Sequence, residues 1–345
     1  MKSTQTDAAR RLVHSNAQST LPEFIPHRWL CGGHIQTLAA FFLPRRIDLP
    51  PAEKRLTEVE PGVSVLCHCH WQKEKAAALT LILVHGLEGS SESQYMLGIA
   101  RNGLAAGMNV VRMNQRNCGG MDHCAPTLYN SSRSADVAAV AQDLIERDSI
   151  PSFVLIGFSM GGNLVLKLAG EWGTEGCPEF RGTIAVCPAI NLAAGADALH
   201  EPVNRIYEYY FLAQLFRRFR RKVRLFPNEF DASRLRGVKT LRQFDDRVTA
   251  YYCGFTGADD YYARAAAANV IDRIARPTLI IHAANDPFIR LLPETRRKIL
   301  ANPQITYIET EDGGHCSFIG ERNGDSNYDG RWAELEVVEF AKQFQ

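Results

Sequence analysis

Apolar residues along this chain follow two alternating rhythms. The runs at Leu79–Val84, Asn109–Met113, Phe153–Ile156, Gly182–Cys187, Thr278–His282 and Gln304–Ile308 are of strand length and predominantly apolar. Such runs read as strands covered on both sides, the situation of a parallel sheet. Between them, apolar residues recur at helical spacing in Gln94–Ala106, Ser134–Glu146, the segment from Leu164 onward, and Trp332–Phe344. Ser134 is expected as the N-cap of its helix, with Asp136 in the first turn. Val63–Trp71 alternates apolar and polar residues, which predicts a further strand. Strands alternating with helices predict an α/β fold, with a mainly parallel central sheet and helices on both faces.

Three stretches depart from the alternation. Residues 1–22 are polar and read as a frayed or weakly helical tail. Residues 22–51 are broken by Pro26, Gly32, Gly33 and Pro44, so irregular structure or a short helix is expected. Residues 195–250 are rich in aromatic residues and arginine and fall between two core strands. They are expected to form a helical cap inserted into a single domain spanning 1–345. Within them, Arg217-Arg218-Phe219-Arg220-Arg221-Lys222 is expected as a solvated helix face. The functional alternative for this run is peripheral contact with an anionic membrane surface.

Composition narrows the class. A chain of 345 residues with 46% hydrophobic content supports one large core, or a core and a lid. Lysine and arginine number 39 against 38 acidic residues, so nothing global points to nucleic acid. Nine cysteines without a regular framework suit a reduced, cytoplasmic protein. The first twenty residues lack the apolar centre of a secretory signal. No window approaches the roughly 18–20 apolar residues of a membrane span, so the protein is expected to be soluble. Nothing in the pattern sets an oligomeric state.

The chemistry is concentrated in Gly157-Phe158-Ser159-Met160-Gly161, where a strand pattern runs into a helix pattern. In that context G-x-S-x-G is a nucleophile elbow, with the serine at the apex of a strained turn. A Cβ at either glycine would collide with the neighbouring strand or helix. The positive end of the following helix points to where negative charge appears during acyl transfer. A serine hydroxyl needs a histidine to take its proton and a carboxylate to hold that histidine's tautomer. In folds with this elbow the chain order is Ser, then Asp or Glu, then His. Asp286 lies just past a buried strand, and His315 follows the last strand in a glycine-rich loop. Both are strand-end positions, where open parallel sheets place their sites. Asp259, Asp260 and His282 are weaker alternatives, because the first two lie at no evident strand end and His282 falls within a strand pattern. Oxyanion donors are expected from the amides of Met160 and Leu87, and His85 is expected to be structural.

Cys67-His68-Cys69-His70 lies on a strand, which turns the cysteines to one face and the histidines to the other. No second ligand pair follows at finger spacing, so no metal is implied. P-loop and dinucleotide G-x-G-x-x-G motifs are absent, so no nucleotide cofactor is implied.

With these residues in place, the chain resembles the α/β-hydrolase superfamily and, within it, the YheT-like hydrolases. That group takes in bacterial esterase-like proteins, membrane-anchored mammalian α/β-hydrolase-domain lipases, and fungal medium-chain ethyl ester synthase/esterases. The resemblance covers nearly the whole chain. It rests on Gly33-His34-Ile35-Gln36-Thr37, His85-Gly86-Leu87-Glu88-Gly89-Ser90, Asn114-Gln115-Arg116-Asn117-Cys118-Gly119-Gly120 and the elbow. Phe244-Asp245, Gly254-Phe255, Asp260-Tyr261-Tyr262, Asn285-Asp286-Pro287 and Gly313-Gly314-His315 complete it. The resemblance implies Ser159 as nucleophile, Asp286 as orienting carboxylate and His315 as base. The N-terminal anchor of the mammalian relatives is not expected here, and Asn117 stands where the group often has glycine.

The function expected is hydrolysis of short- to medium-chain carboxylic esters through an acyl-enzyme. Two other readings stay open. The acyl-enzyme could pass its acyl group to an alcohol, or the scaffold could be a binding module without turnover.

Overall fold

The computed structural model describes residues 23–322 and 328–345, together with the backbone of Leu12–His14. Among these residues nine strands form one sheet: β1 (Leu12–His14), β2 (Glu53–Glu60), β3 (Val63–His70), β4 (Thr80–Val84), β5 (Asn109–Met113), β6 (Phe153–Phe158), β7 (Phe180–Val186), β8 (Thr278–Ala283) and β9 (Ile305–Thr310). Their spatial order is β1-β9-β8-β7-β6-β4-β5-β3-β2. The run from β5 to β9 is parallel, while β1, β2 and β3 pair antiparallel at the two edges. The strand at Leu12–His14 replaces the helical tendency expected there; the rest of 1–22 lies outside the described residues.

Every residue of β4, β6 and β8 is buried, which is why these strands read as unbroken apolar runs. Their side chains alternate between two cores. Ile82, Val84 and Leu155 pack on one face with Val137 and Val140 of the helix Ser134–Asp148. Leu81, Leu83, Val154 and Ile156 pack on the other with Met96 and Ile99 of the helix Gln94–Ala105 and with Val337 of the helix Trp332–Lys342. Burying each such side chain contributes about 1.5–3 kcal/mol. β2 was not expected from the sequence. It is an edge strand with one neighbour among the described residues and only Thr57 buried, so Glu-Lys-Arg-Leu-Thr-Glu-Val-Glu carries little apolar signal. Ser134 is also corrected: it is the first helical residue and not the cap, and its hydroxyl donates to Glu171 on the neighbouring helix at 2.6 Å.

Between β7 and β8 the chain leaves the sheet. A helix at Leu192–His200 is followed by a long one at Arg205–Leu225 and by shorter helical pieces up to Arg273. Leu212, Leu215, Phe219, Phe244, Val248 and Tyr261 give this excursion a core of its own. The arginine run is not a wholly solvated face. Arg217, Arg220 and Arg224 face outward, but Arg218 and Lys222 are buried. Lys222 Nζ donates to the carbonyls of Asp122 (3.0 Å) and Ala125, and burial lowers its pKa to about 8. Among the described residues no helix is long and apolar enough to cross a membrane.

Candidate active site

β6 delivers Ser159 to the C-terminal edge of the sheet, and the helix Met160–Trp172 begins at the next residue. Ser159 has φ +53° and ψ −118°, a conformation that side-chain-bearing residues rarely adopt. The turn closes because its neighbours are glycines. A Cβ on Gly157 would stand 2.2 Å from the Gly161 carbonyl oxygen, and one on Gly161 would stand 2.3 Å from that of Val84. Asn163 fixes the first helical turn from below. Its amide donates to the Ser131 and Ala265 carbonyls and accepts from the Ala267 amide, tying the elbow helix to the end of the helical excursion.

His315 and Asp286 meet. His315 Nδ1 lies 2.8 Å from Asp286 Oδ2, and Asp286 Oδ1 accepts from the amides of Phe288 (3.1 Å) and Ile289 (2.9 Å). Burial would raise the Asp286 pKa, but the imidazole and the backbone donors outweigh it and hold the carboxyl below its usual range. Burial likewise opposes charge on His315, while Cys316 and Asp286 outweigh it and raise its pKa. Ser159 Oγ and His315 Nε2 are not hydrogen-bonded to each other. The neighbour of Nε2 is Cys316 Sγ, at 3.9 Å. That thiol donates to the Val186 carbonyl (3.5 Å), which also accepts from the Ser159 amide (3.0 Å), so the elbow and the histidine loop share one strand end. Contacts of this kind often tighten only when substrate is bound.

The Gly33–Thr37 segment, whose role the sequence left without a physical account, braces the histidine loop. It opens the helix Gly33–Phe42. Thr37 Oγ1 accepts from the His315 amide at 2.8 Å and donates to the Gly33 carbonyl at 2.6 Å. Gln36 exchanges hydrogen bonds with Ile319 in both directions. Gly33 packs so closely on Asn285 that a Cβ would stand 1.8 Å from the Asn285 carbonyl oxygen, while the Asn285 side chain holds the Gly314 amide. Gly33→Ala must therefore move the backbone on both sides of His315. A loss of kcat/KM on the order of 100-fold is expected from a displacement of about 1 Å. Thermal melting and an ester assay check this, and unchanged turnover would show that the brace does not position His315.

The loop after β4 lies against the elbow: a Cβ on Gly86 would meet Ser159 Cβ at 3.1 Å. Leu87 and Met160 pack together beside Ser159, and neither amide has a hydrogen-bond partner among the described residues. The loop is held from two sides. His85 is buried, its Nδ1 bonded to the Gly86 carbonyl and its Nε2 accepting from the Gln115 amide; burial lowers its pKa to about 4 and keeps it neutral. Glu88, at φ +56°, takes a two-pronged contact from Arg218 at 2.9 and 3.0 Å and a hydrogen bond from Tyr129 at 2.5 Å. Sequence reasoning missed this Arg218–Glu88 pair. Its signal was present, since Arg218 falls on the same helical stripe as the buried Leu215 and Lys222.

Ser159 lines a cavity walled by Leu128, Leu199, Phe211, Leu215, Phe244 and Phe288, and Asp245 and Thr249 line it as well. Asp245 accepts from the Tyr262 and Thr249 hydroxyls at 2.7 Å each, yet burial raises its pKa to about 6. The folded state then binds a proton more tightly than the unfolded state, whose carboxyl titrates near 3.9. Stability contributed by protonated Asp245 is lost as pH rises from about 4 to about 6. Asp245→Asn removes that slope. Urea melts at a series of pH values should show the variant gaining about 2–3 kcal/mol on the wild type across this window, and nothing further above it. Parallel curves would refute the assignment.

The remaining candidates lie elsewhere. Asp259 pairs with Arg242, and Asp260 with the Thr256 amide and Arg264, both on the helix Ala258–Ala265. His282 is buried within β8. Cys67 and Cys69 point into the core, while His68 and His70 face Glu92 and Arg112 across the sheet.

The comparisons with known proteins agree with this architecture. The sequence model of the alpha/beta hydrolase family matches residues 81–325. YheT of Escherichia coli (strain K12), whose name offers an esterase activity provisionally, is 31% identical over 98% of this chain and 96% of its own. Phospholipase ABHD3 of Mus musculus is 25% identical over 90% of this chain and 76% of its own. Among solved structures, the Pyrococcus furiosus esterase Pf2001 superposes with a TM-score of 0.55 at 16% identity, covering 87% of this chain and 98% of the other, a likeness of fold. With a mainly parallel sheet, a serine elbow after β6 and a match over most of its length, the chain belongs to the alpha/beta hydrolase family, in its YheT-like group.

Proposed function

We propose that the protein is a serine hydrolase of carboxylic esters with short- to medium-chain acyl groups. The observation that carries this reading is the strained Ser159 elbow at an apolar cavity, sharing a strand end with the loop in which His315 pairs with the buried Asp286. The names of the relatives, an esterase and a phospholipase, support ester substrates in general.

In this mechanism Ser159 Oγ attacks the acyl carbon and gives its proton to His315 Nε2. Asp286 keeps the other ring nitrogen protonated and stabilises the imidazolium. The Leu87 and Met160 amides receive the oxyanion, and the Arg218–Glu88 pair keeps the first of these donors in place. His315 then protonates the leaving alcohol. Water, activated by the same histidine, releases the acid. The helices over residues 195–250 act as a cap, and their aromatic inner wall selects the acyl chain.

The test is labelling by a fluorophosphonate probe followed by a p-nitrophenyl ester series of increasing chain length. Labelling is expected, with a maximum of kcat/KM at short to medium chains. Added ethanol separates the products: free acid means hydrolysis, and ethyl ester means acyl transfer. A folded protein that neither labels nor turns over any ester would refute the reading.

A further inference from the structure

Two thiols meet the ring of the proposed base, and the mechanism uses neither of them. Cys187 follows β7, while His315 and Cys316 follow β9. Their two sulfurs and a ring nitrogen of His315 all lie within 4.8 Å of one another. Cys316 Sγ is 3.9 Å from His315 Nε2, and Cys187 Sγ accepts from the Cys316 amide at 3.4 Å. A tetrahedral ion with metal–sulfur bonds of about 2.3 Å and a metal–nitrogen bond of about 2.0–2.1 Å needs separations of about 3.8 Å between sulfurs and about 3.6 Å from sulfur to nitrogen. Side-chain adjustments of less than about an ångström reach that geometry from these positions.

Two further features favour an ion. The Nδ1 of His315 is already held by the Asp286 carboxylate at 2.8 Å, leaving Nε2 beside the Cys316 sulfur. A carboxylate behind an imidazole is the arrangement that orients metal-bound histidines. The thiols are also fixed by their backbones, with Cys187 at φ +42° and Cys316 at φ +57°, and the Cys187 amide bonded to the Ile281 carbonyl at 2.7 Å. Cys187 is buried, whereas His315 and Cys316 are partly exposed, so the fourth position opens on the accessible side. Thiolate and imidazole donors select zinc-like or cuprous ions over magnesium and calcium.

We propose that Cys187, Cys316 and His315 Nε2 form an inhibitory site for a thiophilic cation such as Zn²⁺. On binding, each thiol releases its proton to solvent and no electron moves. Coordination takes the lone pair that would accept the serine proton, so acyl transfer stops. The inhibition rests on His315 acting as base; the cation site itself does not.

The test is titration of the reduced full chain with Co²⁺, read by the thiolate-to-cobalt charge-transfer band, with Zn²⁺ as competitor. One cobalt per chain is expected, displaced by Zn²⁺ and untouched by Mg²⁺. Cys187→Ser and Cys316→Ser, with folding checked by thermal melting, should each weaken binding on the order of 100-fold. Zn²⁺ should suppress ester turnover in the wild type and lose that effect in both variants. A wild type without the band, a band of equal strength in both variants, or zinc binding that leaves turnover intact would each overturn the proposal. If no ester is hydrolysed at all, the cobalt titration still decides the site, and only the hydrolase reading falls.

Discussion

Ser159→Ala is expected to lower kcat for ester hydrolysis by about 10⁶ and to abolish fluorophosphonate labelling. The loss is this large because serine and histidine act as a unit: without the hydroxyl there is no acyl-enzyme, and only binding and oxyanion donation remain. Stability should scarcely change. Alanine keeps the Cβ, so the backbone strain at φ +53° is the same in both proteins. No hydrogen bond of Ser159 Oγ exists among the described residues, so its removal orphans no buried partner. The variant should therefore melt within about 0.5 kcal/mol of the wild type. A steady-state assay with a p-nitrophenyl ester, paired with calorimetry, reads both effects. Turnover that survives in a well-folded variant would mean that another nucleophile, or none, carries the chemistry.

What the sequence disclosed and what it hid follow from the range of the contacts involved. β4 and β6 were legible because burial on both faces leaves an unbroken apolar run. The elbow was legible because glycine, serine and glycine meet within five residues, and the strain at Ser159 has a local cause. Asp286 and His315 could be placed at strand ends and paired by chain order. The brace at Gly33–Thr37 could not, because its contacts reach across the chain to Asn285, Gly314 and Ile319. A motif of small and polar residues carries no periodicity that names its partner. Arg218 and Lys222 were hidden for a different reason. A run of like charges reads as a solvated face until one knows that Glu88 and the carbonyls of Asp122 and Ala125 wait beneath the helix. The cluster of Cys187 with His315 and Cys316 brings together chain positions separated by the whole helical excursion and by β8 and β9, so no ligand spacing exists to be read. β2 is the converse case: its position at the edge removes the apolar signal that would have announced it.

Asp286→Asn is expected to lower kcat/KM by about 10⁴ while leaving Ser159 and the oxyanion donors in place. The direction follows from the hydrogen bonds. One side of the Asp286 carboxylate accepts from the Phe288 and Ile289 amides, and the other faces His315 Nδ1. An asparagine must give its oxygen to the two amides, because its NH₂ group cannot accept from them. That turns the NH₂ toward Nδ1, which must then be the acceptor, and the ring proton moves to Nε2. A histidine protonated at Nε2 cannot take the serine proton. The substitution also removes the carboxylate that helps hold the His315 pKa above the ordinary imidazole range. In the wild type, kcat/KM should rise with pH through a pKa above about 6.5, as the base must be neutral to work. In the variant the residual activity should titrate at lower pH. A pH–rate profile of both proteins, with the amide variant's melting curve as control, measures the two effects together. An asparagine variant with full activity and an unmoved acid limb would remove Asp286 from the mechanism and leave its pairing with His315 as structure alone.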